Sequence, residues 1–214
     1  MTPTVKICGL STPETLDAAL EAGADMVGLV RFPRSPRHVE LDAGGALAAR
    51  ARGRVGVVAL LVDPDDDELA RTLEALRPDL LQLHGRESPE RVAAIRARFG
   101  VPVMKAVGIA DEGDVAGLHA YAAVADRLLV DAKPPRTAGA LPGGNGLSFD
   151  WRLVTGLDLG KPLMLSGGLD PANVAAALRL TRIGGVDVSS GVESAPGIKD
   201  RARIAAFVEA AKGA

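Results

Sequence analysis

One cysteine in 214 residues excludes an internal disulfide and any multi-cysteine metal cage, and it leaves the thiol of Cys8 to be accounted for individually. Aromatic residues make up only 3% of the chain, a balance that, with 25 glycines, favours close backbone packing over aromatic stacking on a ligand. Charge of neither sign dominates: 25 Lys and Arg against 27 Asp and Glu leave a formal net charge of −2 and no basic stripe. That argues against nucleic-acid binding, which draws on dense cations to neutralise phosphates. No apolar run approaches the ~18 consecutive residues of a membrane span. The opening MTPTVKICGL enters a strand-like run without the charged-then-apolar order of a secretory signal. A soluble, cytoplasmic protein is expected, with a small molecule as its partner and neither membrane nor nucleic acid.

What is present is enough apolar material for one core: 47% hydrophobic residues and a mean hydropathy of +0.16. The length suits a single domain over 1–214. Short β-branched or leucine-rich runs alternate with alanine-rich amphipathic stretches, the pattern of repeated βα units and a parallel sheet. Strands are expected near 4–9, 25–31, 54–62, 79–84, 102–107, 126–131, 162–166 and 185–189, with helices near 13–23, 40–52, 65–76, 88–99, 112–121, 149–155, 171–180 and 200–212. Three helix starts carry an oxygen-bearing cap followed by proline: Ser11 or Thr12 before Pro13, Ser88 before Pro89, and Asp170 before Pro171. Eight such units predict a (β/α)8 TIM barrel, compact because such folds usually take roughly 250 residues. A doubly wound open sheet would share the alternation, but eight strands favour closure. One long loop, 132–148, is too rich in Pro and Gly for regular structure.

In such a barrel the active site lies at the carboxyl ends of the strands. Those ends read Cys8-Gly9, Arg31, Asp63, His84-Gly85, Asp131, Ser166-Gly167-Gly168 and Ser189-Ser190-Gly191, a polar ring on an apolar barrel. The last two turns stand where these barrels often bind phosphate, because glycine lets backbone N–H groups approach an anion. The stretch Gly143-Gly144-Asn145-Gly146 could close a third side of that cradle. Alternation turns Lys6 and Cys8 inward; a cysteine acts as a base only as the thiolate, which an electropositive pocket would favour. Asp131, ending the apolar run LLV, suits a proton donor. Arg37 could clamp a carboxylate bidentately, whereas Arg31 and Arg34 read as solvated. His84 has no companion at metal-ligand spacing and reads as a hydrogen-bonding or packing residue, and Asp187 as an inward residue that orients its neighbours.

The segments KICG at 6–9, SPR at 35–37, QLHG at 82–85, VDA at 130–132, GGNGLSFDW at 143–151, SGGL at 166–169 and VDVSSGVESAPGIKD at 186–200 occur in one order. Together they resemble the phosphoribosylanthranilate isomerase family of tryptophan biosynthesis, from Lys6 to about Phe207. The family commonly has Thr where this chain has Asn145, and often a shorter sixth loop. The resemblance implies a barrel enzyme with Cys8 as general base and Asp131 as general acid. It implies Arg37 on the anthranilate carboxylate and backbone groups around Gly168, Ser190 and Gly191 on the phosphate, with Gly144 and Gly146 also at the substrate. The implied reaction is an Amadori rearrangement of a phosphosugar, in which the substrate's own iminium is the electron sink, so that neither metal nor organic cofactor is expected. A barrel isomerase of histidine biosynthesis would typically use two aspartates, against which Cys8 speaks. A non-catalytic phosphosugar-binding barrel would tolerate loss of Cys8 and Asp131. Either a monomer or a homodimer is compatible with the sequence.

Overall fold

The computed structural model describes residues 2–133 and 141–214; of the loop expected at 132–148, residues 134–140 lie outside the described residues. Eight strands alternate with helices in the order β1 (Thr4–Cys8), α1 (Pro13–Glu21), β2 (Met26–Arg31), α2 (Leu41–Ala51), β3 (Gly56–Leu61), α3 (Asp66–Leu76), β4 (Leu80–Leu83), α4 (Pro89–Phe99), β5 (Val103–Ile109), α5 (Glu112–Ala122), β6 (Arg127–Ala132), β7 (Leu163–Leu165), α6 (Val174–Thr181), β8 (Gly185–Val188) and α7 (Arg201–Lys212). The strands pair in parallel and close into a barrel, with β1 bonded to β2 on one side and to β8 on the other. The open doubly wound sheet is therefore excluded.

The strands read as nearly unbroken apolar runs because both of their faces are buried. Outward residues such as Val5, Ile7, Val57, Leu128 and Val130 join the large cluster between sheet and helices. Inward residues Val58, Leu80, Met104, Ala106, Leu129 and Met164 plug the barrel, and Cys8, Val30 and Leu60 form a smaller cluster above them. The period of two thus carries Lys6 and Cys8, Gln82 and His84, and Asp131 inward.

Two of the three expected helix starts form as read: Thr12 accepts from the Thr15 N–H and Ser88 from the Arg91 N–H, each with a proline next in the chain. The third differs. Asp170 Oδ1 accepts from the Ala172 and Asn173 N–H groups in a turn, and α6 starts only at Val174, because the Asn173 side chain is tied to Gly168 O (2.8 Å) and the Asp170 N–H (2.9 Å). The helix expected at 149–155 is a single 3-10 turn, Trp151–Val154. Gly156, Gly160 and Pro162 follow it before β7 begins at Leu163, leaving no run in which a longer helix could propagate. After β8 the chain makes a second 3-10 turn, Ser190–Val192, and an antiparallel hairpin of β9 (Glu193–Ala195) and β10 (Ile198–Lys199) that was not expected.

Candidate active site

A cavity at the carboxyl ends of the strands is lined by Cys8, Arg37, His84, Asp131, Gly168 and Ser190 among others. Two members of the expected polar ring are turned away from it. Arg31 is not solvated; its Nη1 donates to Val39 O at 2.5 Å and holds the loop after β2. Asp63 accepts from the Arg86 N–H (2.5 Å) and pins the loop after β4.

Cys8 faces this cavity with only 4% of its surface exposed. Burial pushes its thiol up, Lys6 pulls it down, Asp187 pushes it up and Lys199 pulls it down, and the net direction is up. The thiolate-favouring pocket expected from sequence is thus opposed by desolvation. Below the sulfur, Lys6 is fully buried with its Nζ 2.7 Å from Asp187 Oδ1, which gives Asp187 the orienting role expected of it.

Arg37 reaches the cavity past Gly9, whose backbone has φ +78 and where a Cβ would lie 2.6 Å from Arg37 Cδ. Its Nε and Nη2 donate to Glu193 Oε1 (2.7 Å) and Oε2 (2.8 Å), a bidentate pair, and Nη2 also donates to Gly144 O (3.2 Å). The fork is therefore spent on Glu193 rather than left whole for a ligand; among the described residues Nη1 has no hydrogen-bond partner, and it lies beside Gly144, which lines the cavity. Glu193 also accepts from Lys199 Nζ (2.6 Å) and the Gly197 N–H (3.1 Å). Burial works to raise the Glu193 carboxyl, but the Arg37 hydrogen bond and the Lys199 charge outweigh it and hold it below the usual range. Lys199 is lowered, by burial first, against the pull of Glu193.

Opposite Cys8, Asp131 Oδ1 accepts from the Ala132 N–H (2.8 Å) and Oδ2 lies 3.3 Å from His84 Nε2. Gln82 Nε2 stands 2.9 Å from His84 Nδ1. With Gln82 donating, the ring proton sits on Nε2 and is aimed at Asp131. His84 is thus a hydrogen-bonding residue, as read from sequence. The chain around it is fixed from outside the barrel: Lys105 Nζ donates to Leu83 O, Gly85 O and Glu87 Oε2, while Glu87 accepts from the Asp63 and Gly85 N–H groups.

The two glycine-rich turns meet on the remaining side. Gly167 and Gly168 have φ +84 and +69, conformations that glycine adopts without strain. Ser190 opens the 3-10 turn beside them and lines the cavity. Gly191 does not line it; a Cβ there would fall 1.9 Å from Leu169 O, so Gly191 is the joint that lets the two turns pack. Of the third side, Gly146 approaches Ser190 Oγ, while Gly144 lies on Arg37 and Gly143 on His84 and Asp131. Among the described residues no cluster of three or more His, Cys, Asp or Glu could hold a metal ion.

Sequence reasoning assigned no role to Glu193, Lys199, Gln82, Glu87 or Lys105. The Pro196-Gly197 step between two short β-prone runs was a hairpin signal that could have exposed the first two.

Residues 5–210 match the family model described as N-(5'phosphoribosyl)anthranilate (PRA) isomerase. A protein of Azorhizobium caulinodans named N-(5'-phosphoribosyl)anthranilate isomerase is 63% identical over 210 residues, 98% of this chain and 92% of that one. The crystal structure of phosphoribosyl anthranilate isomerase from Thermotoga maritima superposes with a TM-score of 0.89 at 34% identity, covering 100% of both chains. A phosphoribosyl anthranilate isomerase in complex with reduced 1-(o-carboxyphenylamino)-1-deoxyribulose 5-phosphate superposes with a TM-score of 0.84 at 32% identity, again over 100% of both chains.

Proposed function

This chain belongs to the N-(5'-phosphoribosyl)anthranilate isomerase family, and from that premise we propose how its own side chains carry the reaction. The enzyme converts N-(5-phosphoribosyl)anthranilate into 1-(2-carboxyphenylamino)-1-deoxyribulose 5-phosphate in tryptophan biosynthesis. Asp131 gives a proton to the ribose ring oxygen as the C1′–O bond breaks, which leaves a protonated Schiff base at C1′. That iminium acidifies the C2′ hydrogen, the Cys8 thiolate removes it, and the resulting enolamine relaxes to the ketone. His84 orients the Asp131 carboxyl through Nε2. Arg37, steadied by Glu193, presents Nη1 to the anthranilate carboxylate. Gly168, Ser190 and Gly146 take the phosphate, with Gly191 allowing their close approach and Gly144 bracing Arg37.

The observation that carries this reading is that the thiol ending β1 and the carboxyl group on β6 line one cavity, beside two glycine-rich turns suited to an anion. Every residue named comes from one chain, so a monomer or a homodimer suffices, and residues 1–214 act as one domain. No helix among the described residues is long and apolar enough to cross a membrane, and we assign the enzyme to the cytoplasm. The test follows the loss of substrate fluorescence with freshly made phosphoribosylanthranilate. Cys8→Ala and Asp131→Asn should each lower turnover by ~10²–10⁴-fold, the usual contribution of a positioned base or acid. Near-normal turnover in either variant removes that residue from its role.

A further inference from the structure

Assigning the base to Cys8 leaves open what balances the charge of a thiolate in so buried a place. Lys6 lies two residues back on the same inward face of β1, fully buried. Its partner Asp187 comes from β8, across the seam where the barrel closes. On the other neighbouring strand, β2, a Cβ added at Gly28 would lie 2.8 Å from Cys8 Sγ and 3.0 Å from Lys6 Nζ. Sulfur and ammonium therefore both border the open space at Gly28, close enough for the ammonium to act on the sulfur through charge and a hydrogen bond.

We propose that Lys6 is the counter-charge of the Cys8 thiolate, that Asp187 holds it in place, and that Gly28 leaves both groups the room to sit together. This rests on Cys8 being the base. With the thiol protonated, Lys6 and Asp187 are a neutral pair; when the thiol proton leaves to solvent, one ammonium stands against two anions. Among the described residues, the other charged groups toward this corner are Lys199 on β10 and Arg37 on the loop after β2, and both are already bound to Glu193. Asp131 and His84 belong to the opposite rim. Burial works to lower the Lys6 ammonium, but Asp187 and then Cys8 outweigh it and the net direction is up, as expected of a cation held between two groups that gain from its charge.

Lys6 acts here through Cys8, as a positioning residue, and its signature is the ionisation of the thiol. Because the chain has one cysteine, the rate of alkylation by iodoacetamide across pH reports Cys8 alone. Lys6→Met should slow alkylation at neutral pH by about 10-fold or more, the effect of losing one close opposite charge, and move the acid limb of kcat/KM to higher pH. Asp187→Asn should move both the other way, since it leaves the thiolate as the ammonium's only anion. Gly28→Ala keeps both charges, but its methyl group would crowd the sulfur and the ammonium and disturb their pairing, and it should act in the direction of Lys6→Met. An unchanged alkylation profile in Lys6→Met overturns the proposal, as does a shift of the same sign in Lys6→Met and Asp187→Asn. If Lys6→Met does not fold, an unchanged profile in Gly28→Ala overturns it instead. The base assignment fails separately, through full turnover in Cys8→Ala, which would leave the alkylation result standing.

Discussion

Substituting Glu193 by alanine removes one carboxylate and strands two cations. In the native chain that carboxylate accepts from Arg37 Nε and Nη2, Lys199 Nζ and the Gly197 N–H, all between 2.6 and 3.1 Å, with the Glu193, Arg37 and Lys199 side chains at most 6% exposed. Breaking a buried pair by deleting one partner typically costs about 3–5 kcal/mol, because the surviving charge is left uncompensated. For a chain of this size ~1 kcal/mol corresponds to about 2–4 °C in Tm, so Glu193→Ala should melt about 6–20 °C lower by calorimetry. The carboxyl is held below its usual range when folded, so the unfolded state takes up a proton first. Its contribution is then fully present above about pH 4.3, the unfolded glutamate value, and is lost as pH falls through the lower folded value. Glu193→Gln should lose this part of the acid limb while remaining more stable than Glu193→Ala. In both variants the freed Arg37 should raise KM more than it lowers kcat. A Tm within about 2 °C of the parent together with an unchanged KM would refute the assignment of Glu193 as the brace of Arg37.

Three further outcomes are expected. Leu129→Ala, in the inner plug of the barrel, should lower unfolding stability in urea by about 2–5 kcal/mol while turnover at low temperature stays near normal, since the cavity is made below the chemistry. Lys105→Met should destabilise by about 3–5 kcal/mol by orphaning Glu87, and should reduce kcat more than it raises KM because the peptides on both sides of His84 lose their anchor; adding Glu87→Gln should recover stability ahead of kcat. Gly191→Ala, whose methyl group has no room beside Leu169 O, should raise KM for the phosphorylated substrate, measured in the same fluorescence assay.

The eight strands were legible because a parallel barrel buries both faces of each, so that runs such as GVVALL and RLLVDA stand out with no need of tertiary information. Cys8, His84 and Asp131 were legible because each stands at the end of such a run, and Arg37 through the SPR segment in the loop after β2. What stayed hidden depends on contacts distant in sequence. Glu193 lies 156 residues from Arg37, and nothing local to either marks the pair. Lys105 sits inside an apolar strand, and only the fold reveals that it points outward to Glu87 and the Tyr121 ring rather than into the barrel. The sixth helix was overread because the apolar letters in WRLV fit one helical turn, and the glycines beyond it decide that there is no second. The delayed start of α6 has a similar origin: an aspartate before proline suits a helix cap, but here Asn173 fastens the turn first.

The closing seam of the barrel joins residues 181 positions apart, Lys6 on the first strand and Asp187 on the last. A nascent or truncated chain that still lacks its eighth strand would have to place an ammonium in the barrel's interior with nothing opposite it, a state disfavoured by several kcal/mol. Synthesis from the amino end therefore delivers the sulfur and Lys6 early but Asp187 and Lys199 late. Incomplete products are held back from a native-like packed state, and the reactive corner matures only as the final staves of the barrel arrive.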